Sequence, residues 1–165
     1  MSILKVNTIQ DKGGNTIISS DGSGVITPSF GVGKIGQIVE DSITDATSIT
    51  TTSSSFVSTG ISVSITPSSA SSKILVIWSY GNYSFHNDWM VQRITRNGTS
   101  VVGDIYFRNT TGGIIQSTEG RTFLDVPNTT SALTYAVDYY AVAGFGTARI
   151  GSPSGASLIA MEVLA

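Results

Sequence analysis

Apolar residues in this chain either alternate with polar ones or run in blocks too short for a helix, and Gly, Asn-Gly or Ser/Thr clusters interrupt them at intervals of about ten residues. That pattern has the period of a pleated strand and leaves little room for helices, so an all-β fold is expected. Ile61-Ser62-Val63-Ser64-Ile65 alternates strictly and reads as a half-buried strand, ended by Pro67 and a Ser-rich turn. The continuous block from Lys73 to Tyr80 reads instead as a central strand, covered on both faces. Met90 to Arg96 and Thr99 to Phe107 flank Asn97-Gly98, the pair best suited to a type I′ turn because both residues tolerate positive φ. Further strands are expected at Arg121 to Val126, Leu133 to Val142, Ala148 to Gly151 and Ser157 to Leu164. So many antiparallel segments suit a sandwich or jelly roll.

The N-terminal part has a different grain. Short strands at Ile3 to Ile9, Asn15 to Ile18 and Gly24 to Ile26 are joined by the Gly-rich turns Asp11 to Gly14 and Asp21 to Gly24. Pieces this short bury little alone and need identical copies or another protein to cover them. Residues 1–33 are therefore expected to form an attachment segment, with Ile3, Leu4, Val6, Ile9, Ile17 and Ile18 as its anchoring side chains, and residues 34–165 the main domain. The stretch from Asp41 to Ser55, nearly all Ser, Thr, Asp and Ile, reads as an extended edge segment in which Ile43 and Ile49 turn inward.

Charged residues make up only 12% of the chain, against 40% apolar residues and a formal net charge of -2. The apolar share is too high and the charge too low for disorder. So sparsely charged a surface implies that part of it meets another subunit. Nine Lys and Arg face eleven Asp and Glu, which leaves no basic excess for nucleic acid or an anionic membrane. The longest apolar run, Ile74 to Trp78, is far below the ~20 residues of a spanning helix, and no secretory pattern opens the chain. With no cysteine, disulfides and thiolate metal sites are excluded.

Particular segments resemble a known group. Ile3 to Ile18 is similar to the N-terminal segments of tail-fibre and other virion structural proteins of marine and cyanobacterial phages. Gly36-Gln37-Ile38-Val39, Phe56 to Ser69, Ser72 to Val76, Arg93 to Gly98 and Leu158 to Val163 resemble a recurrent phage fibre domain with a jelly roll of the C1q/TNF-like type. The resemblance implies a homotrimer with one sheet of each jelly roll around a threefold axis, a virion location, and an N-terminal segment bound to other virion proteins.

Motifs for chemistry are weak. Gly31-Val32-Gly33-Lys34-Ile35-Gly36 matches the dinucleotide fingerprint by spacing, but no strand precedes it and no helix follows to receive a pyrophosphate. His86, the one histidine, stands near Asp88 and not far in sequence from Asp104 and Glu119, which could make a single-histidine metal or acid-base site, but a lone His among loop aromatics is more simply a packing or surface residue. No Ser lies in a Gly-x-Ser-x-Gly turn. Asp88, Asp104, Glu119, Asp125 and Asp138 include possible acid-base pairs only if the fold brings two of them together. The sequons at Asn82, Asn97, Asn109 and Asn128 arise by chance in a chain so rich in Ser and Thr. No catalytic residue, cofactor or metal is expected.

The most pointed feature is the aromatic run from Trp78 to Trp89. Trp78 and Tyr80 belong to the central strand and are expected in the core or between subunits. Tyr83, Phe85, His86, Asp88 and Trp89 follow it in a loop and are the candidate contacts for a host surface receptor or glycan, because aromatic loop residues bury large area at low entropic cost. The function expected is a trimeric phage fibre or spike that attaches to the host surface. The alternative is a purely structural capsid decoration, head fibre or tail adaptor. Glu162, inside an apolar strand, needs a partner, and Arg93, Arg149 or a Tyr hydroxyl is expected to supply it.

Overall fold

The structure, a computed structural model, describes residues 7–20, 26–28, 34–44, 48–85, 87–151 and 154–164. Thirteen strands lie among them and no helix. β1 (Thr8–Gln10), β2 (Thr16–Ser20) and β3 (Ile26–Pro28) form a small antiparallel meander of their own. Asp11 shapes its first turn, where Oδ1 accepts the amides of Gly13 and Asn15 and Oδ2 accepts Asn15 Nδ2. Of the expected anchoring side chains, Ile9 and Ile17 are exposed, Ile18 lies in β2, and Ile3, Leu4 and Val6 fall outside the described residues, as does the expected boundary near Gly33.

The strands that follow are β4 (Ile35–Ile43), β5 (Ile49–Thr51), β6 (Val57–Ile65), β7 (Lys73–Ser84), β8 (Trp89–Arg96), β9 (Thr99–Arg108), β10 (Ile115–Asp125), β11 (Leu133–Ala141), β12 (Ala148–Ile150) and β13 (Ala156–Val163). Their pairing is nested. β8 pairs with β9, β7 with β10, β6 with β11, β5 with β12 and β4 with β13, all antiparallel. From β4 to β13 the chain is thus one long hairpin whose tip is Asn97-Gly98, both at positive φ (50° and 81°), as a type I′ turn requires. Rolled up, the hairpin gives two four-stranded sheets, β10-β7-β13-β4 and β6-β11-β8-β9, the connectivity of a jelly-roll sandwich.

Alternation explains which side chains enter. Ile61, Val63 and Ile65 of β6 meet Ile74, Val76, Trp78 and Tyr80 of β7, Tyr135, Val137 and Tyr139 of β11 and Leu158 and Ala160 of β13 in one core. The indole of Trp78 stacks on Tyr80 at 5.4 Å and donates from Nε1 to Gln92 Oε1 at 2.7 Å, which satisfies a fully buried amide. Ile43 and Ile49 pack against this core, as expected of the Ser/Thr-rich stretch. β10 starts at Ile115, earlier than the expected Arg121, because pairing with β7 carries the polar residues Gln116 to Gly120 into the sheet.

The partner of Glu162 differs from expectation. Glu162 is 1% exposed, and none of the three arginine ion pairs among the described residues involves it. Its carboxylate accepts Gln37 Nε2 (2.9 Å), the Ser68 amide (2.6 Å) and the Ser68 hydroxyl (2.7 Å). Gly36 makes room, since a Cβ there would stand 2.9 Å from Glu162 Oε2. Burial opposes the charge, but the bonds from Gln37 and Ser68 outweigh it and hold the carboxyl down at about 2. Arg93 is instead spent on Asp138, and Arg149 on Asp88.

Candidate functional site

The loop from β7 to β8 lies at one end of the sandwich, and its geometry is organised by Asp88. That carboxylate is buried. Its Oδ2 accepts the Phe85 amide (2.8 Å) and pairs with Arg149 Nη1, while Oδ1 accepts the Thr147 amide (2.9 Å). The backbone closes the same junction, with Asn87 N donating to Asn109 O and Asn109 N to Asp88 O. Gly146 sits directly against Asp88 Oδ1, where a Cβ would overlap it. Asp88 therefore positions the loop, and its oxygens are already occupied.

Two aromatic groups project around this support. Phe85 is 43% exposed, with the Arg149 guanidinium 4.7 Å from its ring centre. Trp89 packs edge-on against Phe145 at 4.9 Å, and the Arg108 guanidinium lies 4.7 Å from the one ring and 5.0 Å from the other. Such pre-packed rings offer an apolar surface with little entropy left to lose. Of the five candidate contacts, Phe85, Asp88 and Trp89 are thus brought together. His86 and the side chain of Tyr83 lie outside the described residues. Arg108, Phe145 and Arg149 join them from distant strands and turns, and no local pattern in the sequence marks them.

The carboxylates that could have formed an acid-base pair are mostly committed to arginines. Asp88 is held as above, Asp138 accepts Arg93 Nε and Nη2 at 3.0 and 2.8 Å, and Asp125 accepts Arg96 Nη1 at 2.9 and 2.7 Å. Asp125 also accepts the Tyr135 hydroxyl at 2.6 Å, and burial together with that carboxylate pushes the phenol well above its ordinary value. Asp125 on one sheet and Arg96 and Tyr135 on the other make this a clamp across the sandwich. Among the described residues, no cluster of three or more His, Asp or Glu is placed to hold a metal ion.

The two sheets present unlike outer faces. On β10-β7-β13-β4 the register aligns Leu124, Leu75, Met161 and Ile38 in a single row, and the next row carries Thr122, Ile77, Ile159 and Glu40. Leu124 and Ile38 are 49% and 59% exposed, so this apolar row continues to both edges of the sheet. On β6-β11-β8-β9 the outer positions of β6 are Ser58, Gly60, Ser62 and Ser64, and Ser64 Oγ lies 3.0 Å from Thr134 Oγ1. Farther across that face Tyr106 and Tyr140 stand on either side of Val91, and Tyr106, 62% exposed, donates its hydroxyl to Asp104 at 3.1 Å. One outer face carries an exposed apolar row and the other is polar with aromatic rings.

No protein-family model matches the chain, and no curated protein matches it by sequence. Among solved structures the chain is similar to the VP2 subviral particle of infectious bursal disease virus, with a TM-score of 0.52 and 11% identity over 86% of this chain and 36% of that one. A structure of the Gt strain of the same virus superposes at a TM-score of 0.40, with 12% identity over 87% of this chain and 41% of that one. The chain spans less than half the length of either. At 11% identity the likeness is one of fold alone.

Proposed function

We propose that this chain is a structural protein of a virus particle, a homotrimeric fibre or spike of a bacteriophage that contacts the host surface. The carrying observation is the apolar row Leu124, Leu75, Met161 and Ile38 on the outside of one sheet. Monomers seldom leave a contiguous apolar band on a sheet face uncovered, whereas subunit interfaces are built from such bands. The band includes the C-terminal strand β13, flanked by β7 and β4, so three copies would meet there with their polar faces outward. The jelly-roll fold it shares with VP2 of a viral particle, and the similarity of its sequence blocks to phage fibre domains, support the same reading.

In this arrangement the aromatic loop end with Phe85 and Trp89 carries the receptor contact, and three weak sites on one particle gain avidity when they engage together. The N-terminal meander, with Ile9 and Ile17 exposed, is the part that binds other virion proteins. Sedimentation of the purified protein is expected to show three copies, and Met161→Glu, which puts a charge in the middle of the band, is expected to give monomers of unchanged secondary structure. A stable monomer at micromolar concentration overturns the reading. A protein beginning at Lys34 is expected to keep its fold yet fail to join virions, and normal incorporation would move the attachment surface into the jelly roll. Phe85→Ala is expected to reduce adsorption to host cells without changing Tm.

A further inference from the structure

Strand β7 changes character along its core-facing side. Ile74, Val76, Trp78 and Tyr80 fill the interior, and then Asn82 and Ser84 take the next two inward positions. Both are buried, at 1% and 3% exposure. β13 pairs with β7 only as far as Tyr80, opposite Ala156, so beyond that point β7 is held by β10 on one side and by the bonds Gly81 N to Gly155 O and Gly151 N to Gly81 O on the other. Opposite Asn82 on β10 stands Ser117, on the same face of the sheet. Among the described residues, Asn82 Nδ2, Ser84 Oγ and Ser117 Oγ are each buried without a hydrogen-bond partner.

Isolated orphans of this kind arise singly, and three on adjacent positions of one sheet face point to a shared partner. A buried polar group without one loses its hydration and gets nothing in return. Side chains also shrink here, from Trp78 and Tyr80 to Asn82 and Ser84, where the apolar core ends. We infer that this end of the sandwich binds an internal water molecule, held by Asn82, Ser84 and Ser117. A buried water makes about three hydrogen bonds to groups otherwise unsatisfied, the number offered by these side chains. The hydroxyls both donate and accept, and the amide donates, so one water fills the set without an unmatched charge. A cation is disfavoured, because hard cations take several oxygens including carboxylates and the amide presents a donor.

The site stands beneath the loop that carries Phe85, since Asn109 Nδ2 donates to the Ser84 carbonyl and to Gly113 O. The bound water therefore supports the same loop end from inside.

High-resolution crystals of the full chain, together with water-oxygen magnetic relaxation dispersion in solution, test this. One ordered, long-lived water within hydrogen-bond distance of all three side chains is the expected result. Side chains bonded to one another, a dry gap, or a bound ion in place of water would each overturn it. The sign of a stability change gives a second measurement. If the site is wet, Ser117→Ala strands the water and lowers Tm by roughly 2–4 °C. If it is dry, the same change removes an orphan hydroxyl and leaves Tm unchanged or raised, which sinks the inference. Ser84→Ala repeats the comparison should Ser117→Ala fail to fold.

Discussion

Replacing Glu162 by Gln isolates the charge that closes the last strand pair. The substitution keeps volume and hydrogen-bonding reach but puts an NH2 group where Gln37 Nε2 or the Ser68 donors require an acceptor. In the native protein the carboxyl is held at about 2, against an ordinary 4.5. Each unit corresponds to about 1.4 kcal/mol, so the charged form contributes at most about 3 kcal/mol. Because the folded value is the lower one, that contribution is complete above pH 4.5 and disappears as the pH falls from there toward 2. For a chain of this size 3 kcal/mol is worth roughly 6–12 °C in Tm. Thermal melts followed by circular dichroism from pH 2 to 7, at one protein concentration, should show Glu162→Gln several degrees below the parent at pH 7. The gap should narrow below pH 4.5 and nearly close at pH 2. A gap that stays constant across the range would show that the loss is steric and that the charge contributes nothing.

Gly146→Ala places a methyl group against Asp88 Oδ1 and must displace the Asp88 and Arg149 pair, so a loss of about 2–4 kcal/mol in chemical denaturation is expected, and unchanged stability would argue against it. Asp125→Asn leaves Arg96 and the Tyr135 hydroxyl without their charged acceptor across the two sheets, and a loss of about 3 kcal/mol is expected from urea unfolding. The same variant should lower the Tyr135 phenol only in part, because burial, the larger cause of its rise, remains, and an ultraviolet pH titration reads the direction.

How much was legible in the sequence follows the distance between partners. The tip of the hairpin could be read residue by residue, because Asn97-Gly98 sets the turn and the turn sets the register of Thr95 and Arg96 against Ser100 and Thr99. Trp78 could be placed inside from the apolar run Ile74 to Trp78 that it ends, and Tyr80 from its same-face position two residues on. Glu162 could be recognised as a buried carboxylate in need of donors, but Gln37 is 125 residues away and Ser68 94, and no local pattern links them. Arg93, Arg149 or a Tyr hydroxyl was the expectation for this buried charge, and the fold supplied a backbone amide and two neutral side chains. For the loop end, the run of aromatics gave Phe85 and Trp89, whereas Arg108, Phe145 and Arg149 enter only through the pairing of β8 with β9 and the turn before β12. The buried role of Asp88 was hidden for the same reason, since its partners lie about sixty residues on.

Nesting also ties the stability of this fold to the proposed association. Loop-closure entropy rises only slowly with loop length, so the outermost pair, β4 with β13, costs little more to close than the pairs inside it once those have formed. What the outermost pair lacks is a turn to fix its register. A slip of one residue would turn Gln37 and Val39 outward and bring Ile38 and Glu40 toward the core, removing Ile38 from the row it shares with Met161, Leu75 and Leu124. The contacts that prevent the slip are those of Glu162 with Gln37 and Ser68, together with Gly36, which alone leaves space for the carboxylate. Leu164 N donating to Lys34 O at 2.7 Å closes the same end. The buried face of this strand pair therefore holds the alignment of the exposed row through which association is proposed. Glu162→Gln is accordingly expected to weaken association at neutral pH as well as thermal stability, even though Glu162 lies on the side of the sheet away from the apolar band.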